Sequence, residues 1–102
     1  MTLPKTFLDR FTVGSFIELR DGRHVPLDFY VDVYEAAARG IPTLLRGVDF
    51  RAEHICGPNF WVPLSAYMAR LAGTCLHDIV ERELLPLVVV PARGATLRYR
   101  RR

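Results

Sequence analysis

The stretch SAYMARLAGTCLHDIVERELLPLVVV, residues 65–90, decides the fold. Before Gly73, apolar side chains recur at helical spacing: Trp61, Leu64, Met68, Leu71 and Ala72 form one stripe. Pro63 fits a helix over 60–72 only in its first turn, where the missing N–H costs little, and Asn59 offers a cap. Gly73 then stops that helix. Thr74 caps a second helix reaching Leu85, with Leu76, Ile79, Val80 and Leu84 inward, and Pro86 ends it. Leu87-Val88-Val89-Val90 is a β-branched strand. Residues 91–94 read as a turn, and Ala95 to Tyr99 as the returning strand.

Upstream, residues 11–19 alternate, with Phe11, Val13, Ile17 and Leu19 on one parity. Asp21-Gly22 is a two-residue hairpin signal, and Val25 and Leu27 fall on the return strand. The competing reading is a short helix over 13–19 capped by Thr12. Asp28 caps a helix over 29–39 that Gly40 closes, with Tyr30, Val33, Tyr34 and Ala37 on one face. Thr43 to Arg46 fits a short strand, and Asp49 caps a short helix over 50–56 before Gly57-Pro58. The first ten residues read as a loose lead-in.

With 102 residues, half of them apolar, the chain has room for one core. The expected class is α+β in a single domain, residues 1–102. It divides into the lead-in 1–10, an N-terminal β-hairpin and helix, a part over 49–99, and a basic tail over 100–102. No apolar run approaches the ~20 residues of a membrane helix, and no secretion-signal layout opens the chain. A cytoplasmic location without a membrane partner is the expectation. Cys56 and Cys75 suit that as buried, unpaired thiols.

The net charge of +3 is unevenly placed. The last ten residues hold five arginines and no acid, so removing that +5 from the total leaves −2 on residues 1–92. The basic character belongs to the C-terminus.

Residues 65–84 resemble the helix-turn-helix family at its main steric positions. Ala69 stands at the close approach of the two helices, Gly73 in the turn and Ile79 where the second helix packs back, with Met68 and Ala72 as further inward positions. Thr74 and Arg82 depart from the pattern, since aliphatic residues are usual there. Gly73 to Tyr99 also resembles the end of small winged-helix proteins common among phage and mobile-element regulators. The carrying residues are Leu85-Pro86-Leu87 and Arg98-Tyr99-Arg100. The resemblance implies a winged helix-turn-helix in the C-terminal half and a DNA-binding regulator: a repressor, an activator, an antirepressor or an excision factor. Its recognition helix would enter the major groove and probe it with Thr74, His77 and Arg82. Arg93, Arg98, Arg100 and Arg101 would bind phosphate, and Tyr99 would stack or donate its hydroxyl. An alternative register pairs 50–56 with 59–72 and turns Asn59, Ser65 and Arg70 to the groove.

Asp78, Glu81 and Glu83 oppose phosphate binding. They suit a different class of function, a non-enzymatic module that binds a host protein through this acidic face. Tyr34 and Val31 are candidates for a homodimer interface. His54, Cys56, Cys75 and His77 lack the spacing of a zinc site, because residues two apart on a helix point about 200° apart. Trp61 reads as core. No nucleophile elbow, phosphate loop or carboxylate pair is present, so neither catalysis nor a cofactor is expected.

Overall fold

Gly73 does not bend the chain. In the computed structural model, which describes residues 3–91 and 97–102, one helix runs unbroken over Ala66–Glu81. The corner lies earlier, at residues 62–65, and contains Pro63. Ser65 caps the helix, its Oγ accepting from Met68 N at 3.1 Å. Thr74 is no cap; its hydroxyl donates back to Arg70 O at 3.1 Å within the helix. The reason is packing. Ala72, Cys75, Leu76 and Ile79 are all fully buried on one face that continues past the glycine. Burying one large apolar side chain gains about 1.5–3 kcal/mol, against the ~1 kcal/mol that a helical glycine costs. A Cβ at position 73 would meet nothing within 4 Å. Gly73→Ala is therefore expected to raise stability by about 0.5–1 kcal/mol. A glycine turn would reverse the sign, and thermal unfolding of the variant checks it.

The elements begin with α1, Lys5–Phe11, where a loose lead-in was expected. Phe7 packs at a tilt against Phe11 and stacks on Tyr30, at 5.2 and 6.2 Å between ring centres. That aromatic contact gives the segment a surface to fold on. β1 Thr12–Val13, β2 Phe16–Glu18 and β3 His24–Pro26 form an antiparallel sheet in that order. A hairpin is present, but not with the expected two-residue turn. Leu19 N donates to Arg23 O across the three residues Arg20 to Gly22, only Gly22 takes positive φ, at +90°, and Leu27 begins the next helix instead of ending the return strand. Ile17, Leu19 and Val25 point into the core.

α2, Leu27–Gly40, starts after Pro26 rather than at an Asp28 cap. Its Tyr30, Val33, Tyr34 and Ala37 are buried as their spacing required. Tyr34 is 2% exposed, so it is core and offers nothing to a dimer. A 3-10 turn over Ile41–Thr43 replaces the expected strand at 43–46. β4, Asp49–Phe50, follows; Asp49 pairs in a sheet instead of capping a helix. α3 Ala52–Cys56 and α4 Pro58–Trp61 flank Gly57, whose φ of +86° makes the kink. The single helix expected over 60–72 is thus divided between α4 and the first half of α5, Ala66–Glu81.

α5 stops short of Leu85. Glu83 takes φ +58°, Glu83 N donates to Val80 O, and Leu84 N donates to Ile79 O. This 5→2 and 6→1 pair is the Schellman closure. β5 Leu87–Val90 and β6 Arg98–Arg101 complete a second antiparallel sheet, ordered β4-β6-β5. The last strand was expected over 95–99. It ends two residues later, so Arg100 and Arg101 belong to it rather than to a tail. The inner face of this sheet, with Leu87 and Tyr99 fully buried, packs on α5 through β5 and joins one shared core. Among the described residues no helix is long and apolar enough to cross a membrane.

Candidate functional site

α5 buries one face and presents the other to a cleft of about 860 Å³. Arg70, Gly73, Thr74, His77 and Glu81, spaced at three and four residues, form its floor. One wall is the β2–β3 turn with Arg20 and Arg23. The opposite wall is the entry to α3, with Arg51 and Glu53. Leu97 and Tyr99 close it on the side of β6.

The charges of this cleft are largely matched in pairs. Arg20 Nη1 lies 2.9 Å from Glu81 Oε2, Arg23 Nη2 2.7 Å from Asp21 Oδ2, and Arg51 Nη1 3.2 Å from Glu53 Oε1. The Arg23 side chain and backbone hold the Asp21 carboxyl below its ordinary range, chiefly by hydrogen bonding. His77 Nε2 sits 2.9 Å from Glu81 Oε1. Among the described residues Arg70 is the cleft arginine with no acid within 4 Å.

Below the floor lies Asp78, a buried carboxylate. Its Oδ1 accepts from Arg20 N at 2.8 Å and its Oδ2 from Tyr30 Oη at 2.8 Å. Arg82 Nε is 2.9 Å from Oδ2, a charge contact whose N–H is not aligned as a hydrogen bond. Burial, and after it the charge of Asp78, pushes the Tyr30 hydroxyl far above its ordinary range. Arg82 also donates to Glu18 O at 2.9 Å, and its guanidinium rests 4.2 Å over the Phe11 ring.

The expected DNA-contacting residues do not converge. Thr74 and His77 meet on the cleft floor. Arg82 does not join them; its side chain is 9% exposed and holds α1 and β2 in place. Tyr99 is 1% exposed with its ring centre 6.5 Å from that of His77, so it is core and cannot stack on a base. Strand alternation places Arg98 and Arg100 on the face of the sheet opposite Tyr99, away from α5. There Arg100 Nη2 pairs with Asp49 Oδ1 at 2.8 Å. Arg101 is structural, donating to Leu44 O at 3.0 Å. Arg93, and with it most of the turn expected over 91–94, lies outside the described residues.

Sequence reasoning missed Arg20, Arg23 and Arg51 as cleft residues and placed Arg70 only in the alternative register. Two of them flank Asp21-Gly22, so a legible hairpin turn did carry a basic tip. Nothing local shows that this tip lies beside α5.

Cys56 and Cys75 are free and buried, and burial pushes each thiol up to about 12. That keeps them protonated at neutral pH and unsuited to nucleophilic attack. No group of three or more metal-ligating side chains occurs among the described residues. No family model, curated protein or solved structure matches the chain.

Proposed function

We propose that this chain is a DNA-binding regulatory protein of the winged-helix type, built in a register different from the one its glycine pattern implies. The observation that carries the reading is the order of elements. A helix (α2) leads to a strand (β4), two helical segments (α3–α4, then α5) and a ribbon (β5, β6). The early strand pairs with the last one, giving β4-β6-β5. The corner at 62–65 takes the place of the Gly73 turn, and the first two turns of α5, largely ahead of the cleft-walled part of the helix, become the segment offered to the major groove. They expose Ala66, Tyr67 and Arg70. Arg70 and the exposed Arg98 would take phosphate. Repulsion from acids is weaker than the sequence implies, because Asp78 is buried and Glu81 is paired with Arg20.

A gel-shift titration with random-sequence duplex tests this. Affinity should fall steeply between about 50 and 200 mM salt. Arg70→Glu and Arg98→Glu should each weaken binding about tenfold, alike for all sequences, and flatten the salt slope by roughly 1. No shift at low salt, or one indifferent to salt, would sink the reading.

A second reading is a non-enzymatic module that binds another protein. Val62, 77% exposed in the corner, and Tyr67, 65% exposed in the first turn of α5, favour it, since large exposed apolar side chains suit a protein partner. Under that reading duplex affinity is absent at every salt concentration, and Val62→Glu leaves folding intact.

A further inference from the structure

The geometry points to a binding site for a small organic monoanion with a flat apolar body in the cleft over α5, with Arg70 as its anchor. This does not rest on DNA binding and is compatible with either function above.

Size comes first. About 860 Å³ falls within the roughly 300–1,000 Å³ typical of small-molecule sites. It exceeds what a single ring fills and suits two or three. Shape follows from the floor. Gly73 lacks a side chain in mid-helix, and a Cβ there would meet nothing within 4 Å. The backbone of α5 is therefore bare at the centre of the cleft, and a flat body can lie against it. Leu19, Ala52 and Leu97 supply apolar lining, and Leu97 is 45% exposed.

The sign of the ligand follows from the charges. The cleft carries four arginines and four carboxylates. One of those carboxylates, Asp78, is matched from below by Arg82, which does not line the cleft. Asp21, Glu53 and Glu81 are matched by Arg23, Arg51 and Arg20. Five arginines thus face four carboxylates, and the surplus positive charge is Arg70. One anionic group satisfies it, through the bidentate geometry a guanidinium offers to carboxylate or sulfonate. A second anionic group on the ligand would meet Glu53 or Glu81.

The test uses the full chain and 8-anilinonaphthalene-1-sulfonate, a two-ring monoanion with a pendant phenyl, followed by its fluorescence. Saturable binding to one site per chain is expected. N-phenyl-1-naphthylamine, which shares the rings and lacks the sulfonate, should bind about tenfold more weakly or worse. Arg70→Gln should lose a similar factor for the anionic dye and nothing for the neutral one. Gly73→Leu fills the floor and should abolish both, while its melting temperature stays at or above that of the parent, since leucine is the better helix former. That retained stability excludes unfolding as the cause of lost binding. Dye binding that persists in Gly73→Leu, fails to saturate, or ignores Arg70→Gln would overturn the site. A parent chain that binds the dye and shows no duplex binding at any salt concentration would count against the DNA reading alone.

Discussion

Asp78→Ala should cost about 3–5 kcal/mol, the range for breaking a buried ion pair by removing one partner. A domain of this size has only about 5–15 kcal/mol to lose. The size of the effect comes from how much converges on one carboxylate. Asp78, 5% exposed, receives a backbone N–H from Arg20, the Tyr30 hydroxyl and the charge of Arg82. Those three come from the β2–β3 turn, α2 and the end of α5. Arg82 in turn carries the rings of Phe7 and Phe11 from α1. Removing the carboxylate leaves Arg82 charged and almost buried with no acid, and leaves the Arg20 N–H and Tyr30 hydroxyl without their acceptor. Tyr30→Phe, which removes one donor and leaves the pair, should cost only about 1.5–3 kcal/mol. Urea unfolding of both variants measures the difference. An Asp78→Ala loss below about 1 kcal/mol would show that the N-terminal elements are held by apolar contact alone.

Gly40→Ala should destabilise by about 2–3 kcal/mol, in the overpacking range. At about 4–8 °C per kcal/mol, that lowers the melting temperature by about 10 °C or more. The backbone gives no hint of this, since Gly40 is helical at φ −77° and alanine is normally the better helix residue there. The cause is a neighbour. An added Cβ would overlap Ile55 O, a backbone atom of α3, and Ile55 is itself fully buried. A backbone carbonyl inside a helix cannot rotate away as a side chain could, so α2 and α3 must separate. Gly40→Ala and Gly73→Ala are the same substitution in the same conformation. They should move stability in opposite directions, and calorimetry on the two variants compares them directly. A neutral or stabilising Gly40→Ala would mean that α2 and α3 do not approach so closely.

Much of the core was legible, because it follows from periodicity. The spacing of Tyr30, Val33, Tyr34 and Ala37 placed them on the inward face of α2, and all four are buried. Asp21-Gly22 marked where the chain reverses, through the positive φ of Gly22, but not the loop length, which is three residues. Leu87 to Val90 specified a strand. The lead-in was misread because α1 has no fully buried residue and gains its order from Tyr30 and Arg82, both distant in sequence. The candidate site was legible only in part. Thr74 and His77 lie in the cleft. Tyr99 and Arg82, which a sequence shows as an available hydroxyl and an available charge, are consumed by the core and by Asp78.

By itself the sequence determined the inward face of α2, where the hairpin turns, and that positive charge gathers at the C-terminus. Each of these is set by chemistry within a few residues of the position concerned. Tertiary structure alone decided that Gly73 would be spanned, that Gly40 would be pressed against α3, and that Arg70 would be left without an acid. In each case the local preference is worth about 1 kcal/mol or less. The contacts that override it come from residues far along the chain, and their energies are several times larger.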